Sequence, residues 1–346
     1  MSRALGTADS GDSGDSGDSG DSGNVSSGGA IALASPVIRP IGVSPVPWEN
    51  QGEDFFRGNK WPPTDLAWVN PGQPPPPWDK TNAKQFPLLG WSGSFLSVVI
   101  LGEFVQATAT DPSNVPGTFQ WNQIQIPDWQ TFSPGQINDE LYELYQLIDY
   151  RPGVMAEALA EIQGIQTYWQ GLLMSGPRSH PYTNYLMRIA VHIGEFQAMH
   201  YKYYWKDASG NQVPGRPRPS QLSPALMPPI AVPGHAAYPS GHSTQTHLLS
   251  GLMAQVMPTV VTSALPINAT PQPPPPKVLP PIAPIASPPS LLDRLAERVS
   301  RNREVLGLHY PSDTRAGRIV ADRSLNLLLQ CPSVKNMIVQ AKLEWQ

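Results

Sequence analysis

The 346-residue chain is poor in cysteine, because Cys331 is the only one. A single cysteine excludes an intrachain disulfide and fits a reducing compartment. Charged residues are also scarce, at 14%, and the formal net charge is -4. This charge gives no general electrostatic support for binding nucleic acid, so we expect no nucleic-acid partner.

The sequence also lacks a long apolar run. A bilayer-spanning helix needs about 20 predominantly apolar residues, and the best candidate, residues 243–261, contains Thr244, Gln245, His247 and Pro258. The first thirty residues are mostly Gly, Ser and Asp, without an apolar stretch of the signal-peptide type. We therefore expect a soluble, cytoplasmic protein without a membrane partner. A homo-oligomer is compatible with these features.

Composition divides the chain into three parts. Residues 1–34 include five Asp-Ser-Gly triplets at positions 9–23 and predict a disordered tail. Residues 35–132 hold seven of the ten tryptophans and many Pro and Gly residues. There we expect irregular chain with short helices or strands, packed on the core by its aromatic side chains. Residues 133–346 predict a helical domain, interrupted at 258–289 by an insertion with twelve prolines.

The helical prediction rests on apolar residues that recur every three to four positions and on serine caps. Helices are predicted from about residue 133, over 154–174, over 183–205, from 241 to 258, over 290–306 and after 313. No alternating strand pattern competes with this periodicity. The predicted fold class is all-α.

The first chemical motif is Pro239-Ser240-Gly241-His242, directly before the fourth predicted helix. Serine is a favoured N-cap, and the free N–H groups of a first helical turn attract anions. Glycine lets a tetrahedral oxyanion approach the backbone, and Ser240 can donate its hydroxyl. For these four residues alone, however, an ordinary serine cap and a surface histidine are the better explanation.

The fifth predicted helix supports the anion interpretation. Its apolar stripe consists of Leu292, Leu295, Val299 and Leu306. Arg303 falls on this stripe, whereas Arg294, Arg298 and Arg301 lie on the polar side. A buried guanidinium needs a partner, because an uncompensated buried charge is costly. That partner is either an acidic side chain from another helix or a bound oxyanion.

A histidine and an aspartate follow Arg303. The segment His309-Tyr310-Pro311-Ser312-Asp313 begins two residues after Gly307, where we expect the helix to end. Asp313 can accept a hydrogen bond from one imidazole nitrogen of His309 and thereby orient the other. A nucleophilic or metal-coordinating histidine requires this arrangement.

Together these residues resemble the type 2 phosphatidic acid phosphatase/vanadium haloperoxidase superfamily. The resemblance covers about residues 185–320 and rests on Pro-Ser-Gly-His and on the spacing of Arg303, His309 and Asp313. The superfamily's third element is a Lys, six residues, and Arg-Pro. Arg218-Pro219 supplies its arginine half. Lys202 supplies the lysine half if residues 206–214 are a nine-residue insertion, and Lys206 is the competing lysine.

The sequence departs from the superfamily pattern at two points. Asn302 stands where many members have Ser before the arginine, and the Pro-rich insertion lengthens the gap between Pro-Ser-Gly-His and Arg303. Neither departure removes a residue that would contact the ligand.

The resemblance implies a helical bundle and a role for each matched residue. The residues that would hold the equatorial oxygens of vanadate or phosphate are Lys202, Arg218, Ser240, the Gly241 amide and Arg303. His309 would bond to vanadium or attack phosphorus, and Asp313 would orient it. His242 would act as general acid/base near the apical oxygen. Vanadate readily becomes five-coordinate, like the transition state of phosphoryl transfer, so one pocket suits both chemistries.

Three functions remain open at this point. The first is a vanadium-dependent haloperoxidase that oxidises a halide with hydrogen peroxide. His235 lies five residues before Ser240, at a position that borders the halide site in haloperoxidases, and a histidine there resembles the bromide-oxidising members rather than the chlorinating ones. An ordinary loop histidine is nearly as good an explanation. The second is a soluble acid phosphatase that acts on small phosphate esters without a metal, through a phosphohistidine intermediate. The third is an inactive interaction module.

Overall fold

The computed structural model describes residues 90–110, 117–204, 211–212, 214–258 and 290–346. Every described residue belongs to the same structural unit. The predicted Asp-Ser-Gly tail and residues 35–89 of the Trp-rich region lie outside the described residues. So do residues 259–289 of the Pro-rich insertion.

The described chain is predominantly helical, which confirms the predicted fold class at this level. Its helices are α1 (Gly93–Phe104), α2 (Pro134–Gln146), α3 (Arg151–Gln163), α4 (Gln166–Leu173), α5 (Pro181–Tyr203), the single turn α6 (Pro219–Leu222), α7 (Gly241–Ala254), α8 (Leu291–Val305), α9 (Pro311–Leu328) and α10 (Pro332–Leu343). A two-residue antiparallel pair, β1 (Ala109–Thr110) and β2 (Thr118–Phe119), places Ala109 opposite Phe119. Among the helices of these ranges, none is long and apolar enough to cross a membrane.

Serine caps set the starts of α2 and α8, as the sequence predicts. Ser133 accepts the Gln136 N–H, and the Gln136 side chain accepts the Ser133 N–H at 2.8 Å. Ser290 and Asp293 form the same reciprocal pair at the start of α8. Each pair satisfies two N–H groups that the helix itself cannot, which is typically worth about 1 kcal/mol per cap.

Two predicted helix boundaries are wrong. The single helix predicted over 154–174 is two helices, α3 and α4, because the chain leaves helical geometry at Gly164. The last predicted helix starts before Asp313, not after it, because Asp313 caps α9 from within its first turn by accepting the Tyr310 N–H. A further helix, α10, follows α9 and was not predicted.

Helix α7 lies at the centre of the bundle and packs against α5, α8 and α9. Two glycines allow this close packing. A Cβ on Gly194 of α5 would lie 2.7 Å from the Gln245 Cα, and a Cβ on Gly317 of α9 would lie 2.6 Å from the Ser240 carbonyl oxygen. Because these contacts are closer than a real Cβ tolerates, the glycines fix how near α5 and α9 come to α7.

The described part of the Trp-rich region contributes to the core. Leu96, Ile100 and Phe104 of α1 are buried in the main hydrophobic cluster. Trp121 packs against Phe196 of α5, with ring centroids 5.0 Å apart. Within residues 90–110 and 117–132, the longest element is the 12-residue helix α1.

Candidate functional site

The N-terminus of α7 gathers hydrogen-bond donors in a buried position. Ser240 caps the helix, with its Oγ accepting the Ser243 N–H at 3.4 Å, and this leaves its own hydroxyl proton to donate. The N–H groups of Gly241 and His242 belong to the first turn, where the helix offers no acceptor. Ser240 and His242 are fully buried. A buried helix terminus of this kind favours an anion.

Arg303 of α8 is fully buried, which confirms its predicted inward orientation. Its NH2 group donates to the Ala158 carbonyl at 2.8 Å and to Glu161 Oε2 at 2.7 Å. Its Nε and NH1 have no hydrogen-bond partner in the described part of the chain. The acidic partner expected for a buried arginine is thus Glu161, but it engages only one of the three guanidinium nitrogens. Two charged donors remain for a ligand.

Glu161 is itself buried between α3 and α8. Its Oε1 accepts from the Asn302 side chain at 2.6 Å. Burial raises the pKa of Glu161 to about 7, because the loss of water outweighs the opposing effect of Arg303 and the Asn302 hydrogen bond.

His309 lies between two charged groups that define its tautomer. Its Nδ1 is 3.2 Å from Asp313 Oδ2, and its Nε2 is 3.0 Å from NH1 of Arg218. A carboxylate can only accept and a guanidinium can only donate. Nδ1 therefore carries the proton, and Nε2 presents a lone pair. This is the tautomer that bonds to a metal or attacks an electrophile.

Asp313 remains a carboxylate although it is fully buried. Burial alone would raise the pKa of Asp313, but the Arg216 charge and the hydrogen bond from His309 outweigh it and hold the pKa at about 2. Arg216 NH1 donates to Asp313 Oδ1 at 2.7 Å, while Tyr310 N–H donates to Oδ2 at 2.9 Å. The two carboxylate oxygens thus have separate partners.

Backbone hydrogen bonds link these elements into one site. The Ser240 N–H donates to the Asp313 carbonyl at 3.0 Å, which joins the start of α7 to α9. Leu308 joins two arginines, because its N–H donates to the Arg303 carbonyl and its carbonyl accepts from Arg218 NH1, both at 3.0 Å. These bonds join the backbone at Ser240 to that at Asp313, and the backbone at Arg303 to Leu308 and the Arg218 side chain.

Lys202 contacts the loop before α7, and His235 of that loop contacts Arg218. The Lys202 ammonium donates to the carbonyls of Ala236 and Ala237, at 2.6 and 3.2 Å. His235 Nδ1 is 3.0 Å from NH2 of Arg218, so this loop histidine contacts a predicted site residue. The competing Lys206 lies outside the described residues.

Three buried partners escaped the sequence analysis: Glu140, Glu161 and Arg216. No role was predicted for Arg216, although it stands two residues before Arg218, which received the anion-binding role. Glu161 could have been proposed from its position in a predicted helix. It lies four residues after Glu157 on the same face, and an acid there can pair with a buried arginine. Nothing in the sequence distinguishes Glu140 from other helix-surface acids.

The donor set suits a tetrahedral oxyanion. Two Arg303 nitrogens, the Ser240 hydroxyl and the first N–H groups of α7 can all donate, and His309 Nε2 is the one nitrogen among these groups that carries a lone pair. Preorganised donors around a histidine lone pair can stabilise the charge of a five-coordinate centre. In the described ranges there is no cluster of three or more His, Cys, Asp or Glu side chains that could hold a metal ion.

A scan of the chain against protein-family models gave no match, and a search of curated proteins gave none either. The function is therefore inferred from the geometry of the site.

Proposed function

We propose that this protein is a vanadate-dependent haloperoxidase that oxidises bromide with hydrogen peroxide. We further propose that its helices form the bundle of the type 2 phosphatidic acid phosphatase/vanadium haloperoxidase superfamily. One observation carries the proposal: His309 is held with Nδ1 on Asp313 and with the Nε2 lone pair beside Arg218. An imidazole fixed in this tautomer can bond through Nε2 to the vanadium of orthovanadate.

The neighbouring donors would hold the oxygens of vanadate. The unbonded Nε and NH1 of Arg303 supply charge-assisted hydrogen bonds, and the Ser240 hydroxyl and the Gly241 amide add neutral ones. Arg218 contributes a second positive charge, and Lys202 would contribute a third. Bound vanadate supplies the Lewis acid that activates hydrogen peroxide toward a halide.

Two histidines complete the proposed machinery. His242, in the first turn of α7, would act as general acid/base and exchange a proton with the hydrogen peroxide substrate. His235 is half-buried and lies against Arg218, so a halide beside this imidazole would sit next to the same guanidinium. This contact supports His235 as the halide-site residue, and with it the preference for bromide.

A phosphatase of the same superfamily is the second candidate. It is favoured by the same His309 tautomer, because a lone pair on Nε2 could attack the phosphorus of a small phosphate ester. The result would be a phosphohistidine, with His242 protonating the leaving oxygen. No metal would be needed.

The two candidates can be separated with one purified preparation. The protein is assayed with and without orthovanadate for bromination in the presence of hydrogen peroxide, and for hydrolysis of p-nitrophenyl phosphate. The haloperoxidase proposal requires bromination that depends on vanadate. Phosphatase activity that vanadate inhibits, without bromination, would replace it by the second candidate.

Two variants connect the result to the site. His309→Ala should abolish the activity, whichever it is, because it removes the lone pair. His180→Ala is the control, since His180 stacks on Trp345 and bonds to Ser179 away from these residues. Full turnover by His309→Ala would refute the site assignment. If the wild-type protein has neither activity, both enzyme proposals fail and the interaction-module alternative gains.

A further inference from the structure

Arg216 is a buried arginine whose side chain is enclosed by the residues around Asp313. It is 2% exposed. Its NH1 donates to Ser312 Oγ at 2.6 Å and to Asp313 Oδ1 at 2.7 Å, and its NH2 donates to Glu140 Oε2 at 2.8 Å. Its guanidinium carbon stacks 3.7 Å from the centroid of the Tyr310 ring. A planar guanidinium with this many fixed contacts has one orientation only.

This orientation determines that of the Asp313 carboxylate. Arg216 binds Oδ1, and this leaves Oδ2 for the His309 Nδ1–H and the Tyr310 N–H. A carboxylate that is hydrogen-bonded through one oxygen can rotate about its Cβ–Cγ bond, whereas hydrogen bonds to both oxygens prevent this rotation. Oδ2 is therefore kept in line with the imidazole.

Arg216 and Arg218 approach the same histidine from opposite ends. Arg218 NH1 faces Nε2 of His309, and Arg216 reaches Nδ1 indirectly through Asp313. The two arginines are separated only by Pro217, which restricts the backbone between them. The segment Arg216-Pro217-Arg218 thus contacts both ends of the His309–Asp313 pair.

We propose that Arg216 is a positioning residue that, through Asp313, holds His309 in the tautomer that is protonated at Nδ1 and not at Nε2. Its consequence for turnover rests on the proposed function, whereas its consequence for the His309 tautomer does not. Removal of a direct partner of a metal-bonding histidine, here Asp313, typically changes metal affinity or activity by about 10- to 100-fold, and we expect the loss of Arg216 to act through that partner with an effect in the same range. Arg216 itself contacts neither the anion nor the halide in this proposal.

A purely structural role for Arg216 is the competing explanation. Glu140 is buried and accepts from Ser312 N–H at 2.7 Å as well as from Arg216, so the arginine could serve only to neutralise this acid. The two explanations differ in what happens at His309 when the fold is intact. They are separated by the protonation pattern of the imidazole nitrogens.

The test uses the full chain labelled with ¹⁵N-histidine and free of vanadate. Two-bond ¹H–¹⁵N spectra report which ring nitrogen of His309 carries the proton, and His309→Asn assigns the signals. In parallel, orthovanadate affinity is measured by calorimetry and the fold by thermal unfolding. The variants are Arg216→Gln, Arg216→Lys and, as a matched control, Arg315→Gln, which removes an arginine 3.6 Å from Glu140 that has no bond to Asp313.

We expect wild type and Arg315→Gln to show His309 protonated at Nδ1 alone. Arg216→Gln should show both tautomers and bind vanadate roughly 10- to 100-fold more weakly, and Arg216→Lys should recover much of both. If Arg216→Gln does not fold, the double variant Arg216→Gln/Glu140→Gln replaces it, since it preserves the net charge of Arg216, Glu140 and Asp313. The same mixture of tautomers is expected there.

A folded glutamine variant that keeps the single wild-type tautomer overturns the proposal, even if its thermal stability is reduced. The proposal is also overturned if Arg216→Lys and Arg216→Gln lose vanadate affinity equally and this loss only parallels their loss of thermal stability. If wild-type protein binds no vanadate, the proposed function fails, but the spectra still decide the role of Arg216.

Discussion

Arg303 and Glu161 form a fully buried ion pair in which the arginine uses only one of its three nitrogens. The contact is 2.7 Å long, and both side chains have no exposed surface. Removing two charges from water has a high free-energy cost, and a guanidinium with only part of its hydrogen bonds formed offsets little of that cost. The pair is therefore better explained as a support that directs the two remaining Arg303 nitrogens toward a ligand.

Arg303→Met should weaken the binding of orthovanadate and phosphate by roughly 10- to 100-fold, because it removes two charge-assisted hydrogen bonds. Isothermal titration calorimetry measures both affinities. Arg298→Met is the matched control, since Arg298 lies on the exposed side of α8 and pairs with Glu157. Equal affinities for Arg303→Met and wild type would mean that the unbonded nitrogens do not face the anion.

The buried Glu161 predicts a stability that declines with pH in ligand-free protein. Its pKa of about 7 lies above the ordinary value of 4.5, so the folded state binds the proton more tightly than the unfolded state. The stabilisation of the fold by this tighter proton binding is complete below the unfolded pKa and is lost as pH rises through about 7. It amounts to on the order of 3 kcal/mol in total. Chemical unfolding at several pH values should show the decline.

Glu161→Gln should make this decline shallower without removing it. Glu304 is also buried, and burial raises its pKa to about 7 against the opposing charge of Arg301, so it contributes a similar decline. An unchanged slope in Glu161→Gln would contradict this account.

Gly317→Ala should damage both the fold and the site. The new Cβ would lie 2.6 Å from the Ser240 carbonyl oxygen and 2.9 Å from the Ser243 Cβ. Moving α9 away from α7 should reduce the free energy of unfolding by about 1–3 kcal/mol and displace Ser240, with weaker oxyanion binding. Gly102→Ala in α1 is the control, because its Cβ meets nothing within 4 Å and should stabilise the helix by about 0.5–1 kcal/mol.

The lysine of the site can be identified by comparing Lys202→Ala with Lys206→Ala. Lys202 is 5% exposed, and its ammonium donates to two carbonyls in the loop that leads to Ser240. We expect a larger loss of vanadate affinity in Lys202→Ala. A larger loss in Lys206→Ala would show that the assumed insertion over residues 206–214 is placed incorrectly.

Local signals in the sequence were sufficient for much of the fold. Ser133 and Ser290 predict their helix starts because a cap acts on residues two or three positions away. The break at Gly164 was not predictable in the same way, since apolar residues continue at helical spacing through α3 and α4 and a lone glycine is tolerated in many helices.

In the site, too, local contacts were predictable from the sequence and long-range contacts were not. The inward orientation of Arg303 follows from the periodicity of its own helix, and the contact between His309 and Asp313 joins residues four positions apart. The contacts of Glu161 and Arg216 depend on how segments distant in the sequence pack together, and no local sequence pattern encodes that packing. The pairing of Arg216 with Asp313 was missed for this reason, although Arg216 stands two residues before a predicted site residue.

The central claim is an oxyanion pocket around His309, and a crystal structure with orthovanadate tests it most directly. We predict density for vanadate within bonding distance of His309 Nε2, with its oxygens in hydrogen-bond contact with Nε and NH1 of Arg303 and with the start of α7. Crystals that diffract well at saturating orthovanadate but show no vanadate there, or show it bound only elsewhere, would contradict the account.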